Sequence, residues 1–177
     1  MLDGSTLGTL AELMVRAEII AGSAGRLIPS RVEPDVDHRD IVVAEVGGYG
    51  ALWLQVKGTT HLDQEGRVVA FANYPVDAIP ESARLFYLVS LIDIEEHRLA
   101  RNWLVPSSDF NRLAYREHSR RAGRVTLQFS CVAAGDPRWD EFEVPRLELG
   151  ARLVPLVHAL GPATTDELSA LRDQLVT

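Results

Sequence analysis

The stretch DIVVAEVGGYGALWLQVKG, residues 40–58, decides the fold class of this chain. Two runs rich in apolar and β-branched residues, 40–46 and 51–58, flank the turn-forming segment GGYG at residues 47–50. This pattern predicts two antiparallel strands joined as a hairpin. Side chains alternate along a strand, so Gln55 and Lys57 are expected to share one face. The hairpin brings Asp40, which opens the first strand, beside the second strand.

Working outward, the chain alternates helical and extended patterns. The first helix is predicted at residues 5–21, and further helices at 109–121 and 149–160. Strands are predicted at 26–32, 67–74, 84–93, 101–106 and 125–133. This order predicts an α/β fold with a mixed central sheet flanked by helices. We expect one domain over residues 1–177, with 163–177 as a C-terminal amphipathic helix that either covers the core or contributes to a homodimer.

Composition and charge limit the classes of function. The net charge is −7, so nucleic acid would have to bind at a local basic patch rather than through whole-molecule attraction. Cys131 is the only cysteine, which excludes an internal disulfide and a zinc site built on cysteines. No apolar run approaches the length of a membrane span, and no secretory signal is visible. We therefore expect a cytoplasmic protein without a membrane partner.

Lys57 is the only lysine among the 18 lysine and arginine residues. One interpretation is that a compositional bias toward arginine makes lysine scarce, in which case the position of Lys57 is incidental. The alternative is that lysine chemistry is required at this position. The pKa of a lysine falls readily on burial, whereas arginine stays charged, so the two are not interchangeable in a site.

Glu12 in the first helix, Asp40, Gln55 and Lys57 could converge in one pocket. Mg²⁺ prefers oxygen ligands, commonly one or two carboxylates together with water and a substrate phosphate. An amine beside such an ion can orient water or stabilise developing negative charge. This combination suits the hydrolysis of a phosphodiester.

The motifs GTLAE (8–12), HRDIVV (38–43) and QVKG (55–58) resemble those of the PD-(D/E)XK nuclease superfamily. They look most like the small bacterial branch of uncharacterised domains and Holliday-junction-resolvase-like endonucleases, in which a Q-V-K variant occurs. The resemblance implies a restriction-endonuclease-like fold and a metal-dependent endonuclease that cleaves DNA with Mg²⁺ or Mn²⁺. It also implies that Asp40, Gln55, the Val56 carbonyl and Glu12 bind the metal, and that Lys57 is the catalytic lysine.

Gln55 departs from the acid that is usual at its position, and two alternatives remain open. One is a catalytically degenerate nuclease-fold module that binds nucleic acid or a protein partner without cleavage. The other is an interaction protein in which Asp40 and Lys57 form a buried ion pair.

The densest basic region lies in and beyond the predicted helix 109–121. Its arginines are Arg112, Arg116, Arg120, Arg121 and Arg124, the first three at helical spacing. They form either a phosphate-contacting surface or a solvated helix face whose charge Asp109 and Glu117 partly offset.

Overall fold

The computed structural model describes residues 3–32, 39–118 and 123–162. No helix within these ranges has the length and apolar character needed to cross a membrane. The helices are α1 (Gly4–Gly22), α2 (Ser107–Leu113) and α3 (Leu149–Leu160), with a 3₁₀ turn at Asp140–Phe142. The strands are β1 (Leu27–Arg31), β2 (Ile41–Glu45), β3 (Ala51–Thr59), β4 (Arg67–Pro75), β5 (Leu85–Asp93), β6 (Arg98–Pro106), β7 (Tyr115–His118), β8 (Arg124–Val132) and β9 (Glu143–Val144).

Six strands of the described chain form a central sheet in the order β1-β2-β3-β5-β6-β9. β3 and β5 run parallel, and every other neighbouring pair in this sheet is antiparallel. The sheet is therefore mixed, and the predicted hairpin of β2 and β3 lies inside it.

Helices α1 and α3 cover one face of the central sheet. Ala11, Val15 and Ile19 recur every four residues along α1 and pack with Leu54 and Val56 of β3. The opposite face carries α2 and a second, three-stranded antiparallel sheet in the order β4-β8-β7. The predicted mixed sheet flanked by helices is confirmed, and the second sheet is an addition that the order of elements did not indicate.

The helix predicted at 109–121 is confirmed over residues 109–113 and is wrong at residues 115–118. Helix α2 ends at Leu113, Ala114 is extended, and residues 115–118 pair with β8 as an antiparallel strand. The helical spacing of the arginines is therefore broken, because pairing with β8 outweighs a weak local helix preference. The predicted helix at 163–177 lies outside the described residues.

Arg84, immediately before β5, is buried and connects the end of α3 to the central sheet. Its guanidinium donates hydrogen bonds to the carbonyls of Ala51 (3.0 Å), Leu160 (2.9 Å), Gly161 (3.1 Å) and Pro162 (3.0 Å). The carbonyls of Leu160, Gly161 and Pro162 lie at the C-terminal end of α3, where the helix dipole favours a cation. The arginine thus anchors α3 on the sheet that carries Asp40 and Lys57.

Candidate active site

Asp40 lies immediately before β2, and β3 holds it in place. Its backbone N–H donates to the Leu54 carbonyl (3.0 Å), which extends the antiparallel ladder by one residue. Its carboxylate Oδ2 accepts a hydrogen bond of 2.6 Å from the Val56 N–H. A hydrogen bond to a charged acceptor is stronger than a neutral one. The Asp40 carboxylate is therefore fixed against β3 at the position of Gln55 and Val56.

The Gln55 side chain is buried beneath the second sheet, with only 2% of its surface exposed. Its Oε1 accepts a hydrogen bond from the Tyr74 hydroxyl of β4. The Tyr74 hydroxyl lies 2.7 Å from that of Tyr87 on β5. Because Tyr74 has one proton and donates it to Gln55, Tyr87 must donate to Tyr74. The three groups form a directed chain from Tyr87 through Tyr74 to the Gln55 amide oxygen.

Both tyrosines of this chain stay protonated at neutral pH. Burial raises the pKa of Tyr87 to about 12. Burial also raises the pKa of Tyr74, and the neighbouring Tyr87 and the Asp40 charge raise it further. Gln55 is consequently oriented by a neutral donor, and the Asp40 charge lies close enough to influence that donor.

Tyr74→Phe is expected to lower the free energy of unfolding by about 1–3 kcal/mol, because the buried Gln55 oxygen loses its donor and Tyr87 loses its acceptor. Tyr87→Phe is the matched control. It leaves the Tyr74 to Gln55 bond in place and should cost only about 0.5–1.5 kcal/mol. Urea unfolding of the three proteins measures both effects. Equal losses for the two variants would contradict the assigned direction of the chain.

Lys57 is half-buried and lies two residues beyond Gln55, facing a cleft of about 630 Å³. The cleft lies between the end of β3 and the second sheet, and His61, Asp63, Phe71 and Gln128 also line it. Within the described residues Lys57 makes no ion pair, so the predicted alternative of an Asp40–Lys57 pair is not formed there. Lys57 and Asp63 thus place side chains of opposite charge in the lining of the cleft.

Glu12 follows Ala11 on α1, and Ala11 packs tightly against Gly58 of β3. A methyl group built on Gly58 would lie 2.7 Å from the Ala11 Cβ, so only glycine permits this contact. Glu12 Oε2 is 3.4 Å from Arg31 Nε, and Arg31 pairs with Ile41, the residue after Asp40. The fold thus brings Glu12 to the end of β1, which lies beside the start of β2 that follows Asp40.

Gly58→Ala is expected to destabilise the protein by about 1–3 kcal/mol, because the added methyl group overpacks the contact between α1 and β3. Gly8→Ala on α1 is the control, since an added Cβ there meets nothing within 4 Å. That change should stabilise the protein by about 0.5–1 kcal/mol through helix propensity. Thermal unfolding measures the stability of both variants. If Gly58→Ala leaves the stability unchanged, the contact between α1 and β3 does not require glycine at this position.

The predicted basic surface is divided among different elements. Arg112 on α2 pairs with Asp109 (2.6 Å), and Arg116 on β7 donates to the Asn111 carbonyl (2.9 Å). Arg124 begins β8. Arg120 and Arg121 lie outside the described residues. The described arginines do not form one helical row.

The predicted oxygen donors are of the types that a hard cation prefers, namely the Asp40 and Glu12 carboxylates and the neutral oxygens of Gln55 and Val56. Glu12 lies on α1, however, whereas the Gln55 side chain lies beneath the second sheet on the opposite face of β3. Gln55 Oε1 already accepts from Tyr74, although a carbonyl oxygen has a second lone pair. Among the described residues, no group of three or more His, Cys, Asp and Glu side chains could hold a metal. A cation here would depend on the amide and backbone oxygens as well as on the carboxylates.

Sequence reasoning missed Tyr74, Tyr87 and Phe71. The sequence placed all three on predicted strands, but it gave no signal that β4 folds over the central sheet onto Gln55. Only a prediction of contacts between strands of different sheets would have found them.

The sequence matches no family model and none of the curated proteins. In three dimensions it is similar to the solved structure of a bacterial homing endonuclease, I-Ssp6803I, with a TM-score of 0.56 and 15% sequence identity. The two proteins share a fold. The alignment covers 90% of this chain and 96% of the endonuclease chain.

Proposed function

We propose that this protein is a metal-dependent endonuclease that hydrolyses phosphodiester bonds in DNA. One observation carries the proposal. The Val56 N–H fixes the Asp40 carboxylate against β3, and Lys57, the next residue along β3, faces an open cleft. The PD-(D/E)XK-like motifs and the fold shared with a homing endonuclease support the same chemistry.

Asp40, Glu12, Gln55 and the Val56 carbonyl would hold Mg²⁺ or Mn²⁺. When bound, the ion supplies a Lewis acid that shields the phosphate charge and lowers the pKa of water. Asp40 is preorganised for this task, because its hydrogen bond to Val56 already fixes the carboxylate.

Lys57 contributes the positive charge on the cleft side. Its ammonium donates hydrogen bonds to the scissile phosphate or to the attacking water and stabilises the negative charge that develops in the transition state. The water oxygen forms a bond to phosphorus as the bond from phosphorus to one sugar oxygen breaks. That sugar oxygen takes up a proton, and the products are a phosphate monoester and a free hydroxyl.

The direct test is incubation of the wild-type protein with labelled duplex, nicked, branched and single-stranded DNA in Mg²⁺, in Mn²⁺ and in excess chelator. We expect metal-dependent cleavage of at least one substrate, with none in chelator. No cleavage of any substrate with either ion would overturn the proposal.

The alternative is a degenerate module that binds nucleic acid or a protein partner without cleavage. The engagement of Gln55 by Tyr74 and its nearly complete burial favour it, since a neutral and occupied amide is a weaker ligand than a carboxylate. Calorimetric titration with Mg²⁺ and Mn²⁺ separates the two. The nuclease proposal requires binding that Asp40→Asn removes, and the alternative requires no binding at this site.

A further inference from the structure

The second sheet presents a regular outward surface beside the cleft. Inward residues of β8 such as Leu127 and Phe129 are buried in the core, whereas alternate residues point away from it. We call the outward residues of the three strands the outer face. They are Val69, Phe71 and Asn73 of β4, Thr126, Gln128 and Ser130 of β8, and Tyr115 and Glu117 of β7.

Two rows cross the outer face perpendicular to the strands. Gln128 is paired with Phe71 on one side and with Tyr115 on the other. Both aromatic side chains are exposed, Phe71 by 51% and Tyr115 by 64%. The neighbouring row contains Asn73, Thr126 and Glu117, and the Thr126 hydroxyl lies 2.7 Å from Asn73 Oδ1. The face thus combines amide and hydroxyl groups with exposed aromatic rings.

The outer face continues directly into the candidate active site. Phe71 and Gln128 line the same cleft as Lys57. A ligand whose reacting phosphate lies at Lys57 would therefore extend over the first row. This continuity distinguishes the outer face from an isolated exposed patch.

The charge of the two longer strands suits a polyanion. β4 and β8 contain Arg67 and Arg124 but no aspartate or glutamate, in a chain with 25 acidic residues. Arg67 pairs with Glu65 in the preceding turn, and Arg124 is exposed at the start of β8. The two longer strands thus contribute two arginines and no acid to the second sheet, whereas Asp63 lines the cleft and Glu117 lies on β7.

The dimensions of the outer face favour one groove of duplex DNA. Three strands at a spacing of about 4.8 Å give a backbone surface about 10 Å across. The major groove of B-form DNA is about 12 Å wide and the minor groove about 6 Å. The sheet is therefore much too wide for the minor groove, and two of its three strands match the two-stranded ribbon that the major groove admits.

We propose that the outer face binds the major groove of duplex DNA next to the bond that is cleaved, with Gln128 contacting base edges at the centre. This inference rests on the proposed nuclease function and specifies its substrate and the surface that selects it. Glutamine and asparagine can donate to and accept from adenine in the major groove, and an apolar side chain such as Phe71 can contact the thymine methyl group. The protein should accordingly prefer particular sequences containing A·T pairs.

The test begins with selection of preferred sequences from a randomised duplex pool, using Lys57→Ala so that bound DNA is not cut. Binding of the selected duplex is then measured for that protein with Gln128→Ala, Phe71→Ala or Tyr115→Ala added. We expect the Gln128→Ala change to weaken binding of the selected duplex about 10- to 100-fold and to relax selection at the contacted base pair. Gln128→Glu, which keeps the size of the side chain and adds a negative charge, should weaken binding further.

Matched controls are Tyr49→Ala, which removes a tyrosine that is 85% exposed in the turn between β2 and β3, and Ile28→Ala on β1, which is 52% exposed. Both should leave binding unchanged, and circular dichroism checks that each variant is folded.

Wild-type cleavage of duplex plasmid in Mn²⁺ is measured in parallel. If the wild type cuts duplex DNA but Gln128→Ala and Gln128→Glu keep full affinity and selectivity, the outer-face inference is wrong and the nuclease proposal stands. If the wild type cuts unpaired DNA alone, the inference is likewise wrong. Failure to cut or bind any DNA would reject the nuclease proposal, and the inference with it.

Discussion

Lys57→Ala is expected to slow DNA cleavage by about 10²- to 10⁴-fold, the range for removal of a group that handles a proton or a developing charge in the transition state. Single-turnover cleavage with protein in excess over DNA measures the chemical step without product release. The free energy of unfolding should change little, because Lys57 is half-buried and makes no ion pair within the described residues. The variant therefore separates loss of catalysis from loss of fold.

Lys57→Arg is the matched control for this result. Arginine keeps the positive charge, but its planar guanidinium is larger and remains protonated under all ordinary conditions. If Lys57 serves only as a positive charge, Lys57→Arg should recover most of the rate. If the compact amine is needed to orient or deprotonate water, Lys57→Arg should be nearly as slow as Lys57→Ala. Full activity of Lys57→Ala would remove Lys57 from the mechanism.

Asp40→Asn is expected to reduce metal binding and cleavage by more than about 100-fold. Loss of a group that only hydrogen-bonds to a metal ligand already costs about 10- to 100-fold in metal affinity or activity, and Asp40 is proposed to be a ligand itself. Asparagine keeps an oxygen that can accept from the Val56 N–H, so the protein should lose only about 1 kcal/mol of stability. Calorimetry with Mn²⁺ and the single-turnover cleavage rate measure the two functional effects.

Asp40→Ala tests the same residue with a different structural consequence. It removes the acceptor of the Val56 N–H and should cost about 1–3 kcal/mol of stability in addition to activity. If Asp40→Asn and Asp40→Ala lose similar amounts of activity but differ in stability, catalysis depends on the negative charge of the Asp40 carboxylate. Retention of metal binding by both variants would place the cation elsewhere.

Particular elements show why some predictions succeeded. The hairpin of β2 and β3 was predictable because two β-branched runs flank a glycine-rich turn, and each signal is local. Helix α1 was predictable because its buried residues recur at helical spacing. The expected grouping of Asp40, Gln55 and Lys57 followed from the hairpin together with strand alternation, and the structure places Asp40, immediately before β2, beside Gln55 and Val56 of β3.

Other elements were not predictable from local pattern. Residues 109–121 carry arginines at helical spacing, yet residues 115–118 form β7, because β8 offers those backbone groups hydrogen-bond partners that a sequence window does not contain. The contact between Tyr74 and Gln55 was not predictable for the same reason, because it joins residues that belong to two different sheets.

The sequence by itself determined the local elements that carry the site: the first helix with Glu12, the hairpin, and the shared face of Gln55 and Lys57. Their causes are local, namely side-chain periodicity, turn residues and β-branched runs. Tertiary structure alone decided that a second sheet covers Gln55, that Tyr74 and Tyr87 orient it, and that an outer face lies beside Lys57. These features arise from packing between segments distant in the chain, where burial and hydrogen bonding of the whole structure outweigh local preference.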